Sequence, residues 1–270
     1  MSNARYRPLM LILIMLVLCQ VAILARSTSD YNWHNHGNLV FYDTATFEST
    51  GPVAPVVFYD DFIGSITTVP TSAESGYNWI ALAQGTTPTV AIGADSVMGT
   101  VECALSAGSN TQEAVLYCGN QRNWRVGYGL IMEARVRAEV LPSGSAARMF
   151  IGFAGDQSTG EISTRIGFTF RYSSASASSI YADVDDNTTD TSADTTDDIA
   201  VKTWYILRID ASSASAVKFF VDGVEVEDGL AYGGTTTALV LQPLIKVYKS
   251  TGTTVGSIQV DYVRIWQNRS

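Results

Sequence analysis

Acid–base and nucleophilic chemistry needs titratable side chains paired on one face, and in this 270-residue chain such pairs are few. Glu133 and Glu139 have the same parity in one run, but Arg135 and Arg137 stand between them. Glu225 and Glu227 are two apart, which puts both on one face of a strand; they follow a turn directly, and no third acid continues the step. The only histidines, His34 and His36, lie near the N-terminus, so no Ser/His/Asp set can form further on, and two histidines without a third ligand make no metal site. Asp183-x-Asp185-x-Asn187 matches the first three oxygen positions of a calcium loop. Thr188 stands where the sharp turn needs glycine, and Asp194 where the last ligand should be glutamate. Residues 183–198 hold seven aspartates in sixteen positions and read as a solvated, self-repelling loop. Trp33, Trp79, Trp124, Trp204 and Trp266 are the tryptophans on which a sugar ring could stack. Trp124, between strands in Asn120–Arg125, is the best candidate for an exposed platform, though the bland reading, no sugar platform, is favoured even there; Trp204 and Trp266 are expected in the packing. From residue types alone no catalytic residue, metal ligand or cofactor site is assigned, and a carbohydrate site is not placed on particular residues.

These groups would have to be positioned by strands. From Gly129 to Val140 the chain alternates strictly: Leu130, Met132, Ala134, Val136, Ala138 and Val140 face one way, and Ile131, Glu133, Arg135, Arg137 and Glu139 the other. The same period-two pattern puts Ile166, Phe168 and Phe170 inward and Arg165 and Arg171 outward. Further strands are expected at Val56–Phe62, Tyr77–Leu82, Met98–Leu105, Glu113–Cys118, Ala147–Gly155, Trp204–Asp210, Val217–Val221 and Ile258–Trp266. Asp222-Gly223 supplies a two-residue hairpin turn into Val224-Glu-Val. No sustained helical period follows residue 26, and there is no internal repeat.

The order of three late segments, Trp204-Tyr-Ile-Leu-Arg-Ile-Asp210, Val217-Lys-Phe-Phe-Val-Asp-Gly223 and Val260-Asp-Tyr-Val-Arg-Ile-Trp266, resembles the concanavalin A-like lectin/glucanase superfamily, with its laminin G-like modules and laminarinase-type glucanases. The opening Phe58-Tyr-Asp-Asp-Phe62 is similar to the way such sandwiches lay down their first strand. The resemblance implies an all-β fold, an antiparallel two-sheet β-sandwich of the concanavalin A-like jelly-roll type, with an N-terminal apolar segment and arm. Laminarinase-type enzymes carry Glu-x-Asp-x-Glu on one strand, and no such run is present here. The chain also resembles laminin G-like proteins of tailed-phage and prophage genomes. That resemblance implies a non-enzymatic virion protein, a capsid decoration protein at the virion surface, with capsid or other virion proteins as partners and a homo-oligomer and a surface glycan as further candidates. The alternative is a secreted or membrane-anchored carbohydrate-binding module.

The organisation expected is an apolar signal- or anchor-like segment over 1–26, an arm over 27–55 and the sandwich over 56–268. Residues 9–25 form an apolar run behind Arg5 and Arg7, the form of a secretory signal, long enough also for a minimal membrane span. The net charge of −9 leaves no basic surface to neutralise phosphates, which excludes nucleic-acid binding. Cys103 and Cys118 fall at core parity and are expected on neighbouring strands, as buried thiols or as a disulfide.

Overall fold

The computed structural model describes residues 56–62, 69–72, 79–93, 99–173, 178–233 and 240–268, and the backbone strands at 31–35, 38–42 and 49–50. The chain divides into two units, Met1–Val53 and Ala54–Ser270. In the first, β1 (Tyr31–Asn35), β2 (Asn38–Tyr42) and β3 (Ser49–Thr50) form an antiparallel sheet. The apolar segment 9–25 lies outside the described residues. No helix among the described residues is long and apolar enough to cross a membrane.

The second unit is the expected antiparallel sandwich. It is built from β4 (Val56–Asp60), β5 (Ile80–Gln84), β6 (Thr89–Ile92), β7 (Val101–Ala104), β8 (Gln112–Tyr117), β9 (Trp124–Arg125), β10 (Leu130–Val140) and β11 (Ala147–Ala154). It continues with β12 (Thr164–Tyr172), β13 (Ser178–Asp186), β14 (Asp190–Ile199), β15 (Tyr205–Ala211), β16 (Val217–Val221), β17 (Val224–Leu230), β18 (Val240–Lys249) and β19 (Ser257–Gln267). One sheet runs β17-β16-β15-β10-β19-β7-β6, with β4 also on β19; we call it sheet I. The other runs β14-β13-β12-β11-β18-β8-β5, with β9 also on β18; we call it sheet II.

The alternation of β10 is realised in full. Leu130, Met132, Ala134, Val136 and Ala138 are buried between the sheets, and only Val140, at the strand's end, is exposed. Asp222 (φ 49°) and Gly223 (φ 82°) are both left-handed, as the primed turn between β16 and β17 requires. Packed in the same core as the apolar residues of sheet I are Ile166, Phe168 and Phe170 of β12, with Phe168 edge-on to Phe219 of β16 at 5.2 Å between ring centroids. Cys103 and Cys118 sit in opposite sheets rather than on neighbouring strands: Cys103 in β7 of sheet I, Cys118 just after β8 of sheet II, both free thiols. Burial pushes both thiols up, Cys118 to about 12.

The two sheets differ on their outer faces. That of sheet I is half-buried and laced with stacked arginines: Arg135 and Arg137 flank the Trp204 ring at 4.7 and 4.8 Å, and Arg264 lies over Trp266 at 5.1 Å. Trp204 and Trp266 thus lie outside the inter-sheet core where they were expected. Sheet II is buried on both faces along β18, β11 and much of β12. At the edge of sheet I, the Asp60 carboxylate is raised above its ordinary 3.8, chiefly by burial and against the Phe62 N–H that it accepts at 2.8 Å. The folded state therefore binds this proton more tightly than the unfolded chain, and the cost of the buried charge present at neutral pH is relieved as pH falls through the folded value. Asp60→Asn should accordingly gain on the wild type at neutral pH. That advantage should shrink on acidification and level off below about 3.8. Urea unfolding across pH reads it directly, and a difference independent of pH would refute it.

Candidate functional site

The outer face of sheet II carries the most deeply buried ion pairs among the described residues. Arg165 opens β12 beside Asp185 of β13, which itself pairs with Asp190 of β14, so the three lie in one row across three strands. The Arg165 side chain is 3% exposed and meets four carboxylates. Its Nη1 reaches Asp185 Oδ2 at 2.8 Å, its Nη2 reaches Asp190 Oδ1 at 3.0 Å and Glu161 Oε1 at 3.2 Å, and its Nε lies 3.9 Å from Asp183 Oδ2. Asp183, in the next row, is fully buried (0%) and takes Arg171 Nη2 at 2.8 Å on its other oxygen. Four acids on one guanidinium explain why the segment 183–198 does not behave as a solvated loop. Asp183, Asp185 and Asp190 face Arg165 and Arg171 and are neutralised by them, so the hairpin forms where charge repulsion alone would keep the chain open. Asp183 and Asp185, the first two positions of the calcium-like motif, are thus turned onto arginines. Asn187 lies in the connecting turn, its N–H donating to Asp185 Oδ1 at 2.9 Å. Burial is the main cause that raises the Asp185 carboxyl, against the Asn187 N–H and Arg165.

The connection between β11 and β12, residues 155–163, folds back across this face. Glu161 stands on it, its carboxylate 38% exposed, with Arg148 Nη1 at 2.7 Å as well as Arg165. Asp190 is 57% exposed. Tyr248 of β18 is paired in register with Arg148 of β11. Its phenol is pushed up to about 12, first by burial and then by Glu161. A hollow of about 10 Å³ lies between Glu161, Ile162, Arg165, Phe150, Thr169, Lys246 and Tyr248, room for about one water. Deeper in the face, Lys246 of β18 and Glu113 of β8 form an ion pair at 3.2 Å with both side chains 1% exposed. Burial holds the Lys246 ammonium below its ordinary range, against the opposing pull of Glu113.

Glycine shapes the middle of the trough. Gly152 and Gly167 face each other on β11 and β12, and the Phe150 ring lies over Gly167 so closely that a Cβ there would come within 2.6 Å of it. Among the described residues no group of three or more His, Cys, Asp and Glu is arranged to hold a metal ion.

The residues that sequence reasoning singled out are mostly elsewhere. Glu133 accepts from Tyr262 at 3.0 Å on the outer face of sheet I, Glu139 pairs with Arg137, and Glu225 pairs with Lys218 at the sheet edge. Trp124, the best candidate for an exposed platform, is buried. His34 and His36 belong to the N-terminal unit. Glu161, Asp190, Lys246 and Tyr248 were not anticipated. Strand β18 contains Pro243, a residue that argues against a central strand. In the fold, Pro243 falls where β18 passes from β9, which pairs Val240 and Leu241, to β8, which pairs from Leu244 onward. Its missing N–H lies in that gap, and the Gln242 side chain fills it by accepting from the backbone of Cys118 and Asn120 at 3.1 and 3.0 Å. The alternation Gln242, Leu244, Lys246, Tyr248 was the available signal.

No protein-family model matches the chain, and no curated protein matches its sequence. Solved structures do share its fold. A protein of unknown function from Shewanella oneidensis MR-1 aligns with a TM-score of 0.55 at 19% identity over 80% of this chain and 88% of that one. A LamA variant from Z. galactanivorans, in complex with laminaritriose and laminaritetraose, aligns at 0.53 and 15% over 80% and 99%. A β-1,3-glucanase from Mycobacterium marinum aligns at 0.50 and 16% over 77% and 97%. At these identities the likeness establishes the fold alone, a jelly-roll β-sandwich. The sequence-based expectation of a non-enzymatic virion protein with capsid partners is overturned, because the structural neighbours of stated function are carbohydrate-active. The outer face of sheet II carries a cluster of carboxylates, Arg, Lys and Tyr that the sequence reading does not assign.

Proposed function

We propose that this protein is a polysaccharide-cleaving enzyme that works on the outer face of sheet II, with Glu161 and Asp190 as its carboxylate pair. The observation that carries the reading is their common partner. Glu161 Oε1 and Asp190 Oδ1 both rest on Arg165 Nη2, at 3.2 and 3.0 Å, and both are open to solvent. The two oxygens are therefore no more than about 6 Å apart, short of the roughly 6.5–9.5 Å of an inverting pair and compatible with the about 5–5.5 Å at which one carboxylate attacks the anomeric carbon while the other protonates the leaving oxygen. Cleavage with retained anomeric configuration follows from that spacing. The pair comes from a connection and a strand of a neighbouring hairpin, so no Glu-x-Asp-x-Glu run is needed to supply it.

A neutral glycan suits the site. Arg148, Arg165, Arg171 and Lys246 are each engaged by protein carboxylates, and none is left to neutralise a uronate or sulfate. With residues 9–25 read as a secretory or anchoring segment, the proposed place of work is outside the cytoplasm, where polysaccharides are met.

The test is release of reducing ends from a panel of neutral polysaccharides, with the anomer followed by NMR. The wild type should cleave one or more of them with retention, and Glu161→Gln and Asp190→Asn should each lose about a hundredfold or more in kcat while keeping the fold. Glycan binding without cleavage, or variants as active as the wild type, would overturn the reading.

A further inference from the structure

We propose that residues 155–163 are a lid over the outer face of sheet II, and that the buried pair Glu113 and Lys246 is the latch that sets Glu161 in place when the lid is shut. The inference rests on the reading of Glu161 as a reacting carboxylate, and it assigns to two deeply buried charges a task the cleavage chemistry does not use.

The contacts of the pair point at the lid. The Gly160 N–H donates to Glu113 Oε1, and Gln157 Nε2 donates to Glu113 Oε2 at 3.1 Å. Lys246 Nζ donates to the Ser158 carbonyl at 2.7 Å. Gly160 immediately precedes Glu161, so the latch fixes the backbone from which the carboxylate projects. A hinge-side clamp completes the attachment, with Gln242 Nε2 donating to the Gly155 carbonyl at 2.8 Å and the Gln157 N–H donating to Asn120 Oδ1 at 2.8 Å. Filling this face with apolar side chains would have covered the sheet without the desolvation of two charges. An ion pair bonded to the strap's own backbone instead ties one segment to one position.

The lid has the makings of a segment that opens. Ile162 is its only buried hydrophobic side chain, and Asp156, Ser158, Thr159, Glu161 and Ser163 are exposed. Apart from that one apolar anchor its hold is polar, through hydrogen bonds and the ion pairs of Asp156 and Glu161, and a segment with so little buried apolar surface belongs to the low-stability end of a fold. Opening is also required by size: the hollow under Ile162 and Glu161, about 10 Å³, does not admit a sugar ring. Beneath Ile162 lies a small apolar cluster separate from the main core, with Phe150 and, at its margin, Tyr117. Lifting the lid would uncover these rings as a floor on which a pyranose can stack.

The experiment is amide hydrogen exchange, read beside turnover, on the full protein and on Glu113→Leu/Lys246→Met, which replaces both charges by apolar groups. Exchange at Gly160 should rise about a hundredfold in the double variant, while amides of β10 and β19 keep their protection. The kcat for a glycan that the wild type cleaves should fall about tenfold or more, with KM changed much less. Unchanged exchange at Gly160 would overturn the latch. Raised exchange with unchanged kcat would overturn its link to Glu161. If the wild type cleaves no glycan, the catalytic reading and the link to Glu161 fall together, and Gly160 exchange still decides whether the pair holds the lid. Should the double variant not fold, Gln157→Ala removes one latch contact from the surface, and Gly160 exchange should then rise severalfold; no rise would count against the latch.

Discussion

Arg165→Met should destabilise the sandwich by about 3–5 kcal/mol, the cost of removing one partner from a buried ionic cluster. The arginine is 3% exposed and stands among Asp183, Asp185, Asp190 and Glu161. Asp183 is fully buried and would keep only Arg171; Asp185 would keep only its local N–H contact. For a unit of this size each kcal/mol moves Tm by about 2–4 °C, so a fall on the order of 10 °C is expected in a thermal scan. The effect should be non-additive. In the background of Asp183→Asn and Asp185→Asn the same Arg165→Met change should cost much less, because the carboxylates it would strand are gone. Equal costs in both backgrounds would show that Arg165 acts by packing rather than by charge.

Val136→Asp should cost about 4 kcal/mol or more. Val136 is fully buried at the centre of β10, paired in register with Tyr205 of β15 and Val260 of β19. A carboxylate there faces the inter-sheet core without a partner. Arg135→Ala, one residue away on the opposite face, should cost about 1–2 kcal/mol: more than a free surface charge, because Arg135 meets the largely buried Asp261 at 2.7 Å and stacks on Trp204. Urea midpoints of the two variants give the comparison, and similar shifts would contradict the strand register.

How far the sequence reaches can be judged from individual residues. Where a face is apolar, parity decides burial: Leu130 to Ala138, Ile166 to Phe170 and Val217 to Val221 are buried as their alternation requires. The turn at Asp222-Gly223 is equally local, since only residues tolerant of positive φ fit it. Parity says less about what the other face meets. Arg165 points away from the core as expected, yet is among the least exposed charges of the fold, because residues 155–163 return over it. Lys246 and Glu113 lie 133 positions apart in sequence and meet only because β18 and β8 are neighbours in sheet II.

The amino-acid sequence by itself determined the class and the frame of this protein: an antiparallel two-sheet sandwich, its core faces, the hairpin turn at Asp222-Gly223 and an acidic net charge. Each follows from period-two alternation, turn chemistry or summed charge, which are properties of neighbouring residues or of composition. Only the tertiary structure decided which charged residues form a site. Carboxylates on one connection and two strands converge on a single arginine, a proline is absorbed at a break in a ladder, and an aspartate-rich segment becomes a hairpin. All three depend on strand order and on a loop folding back over a sheet, and neither is encoded in any one segment's pattern.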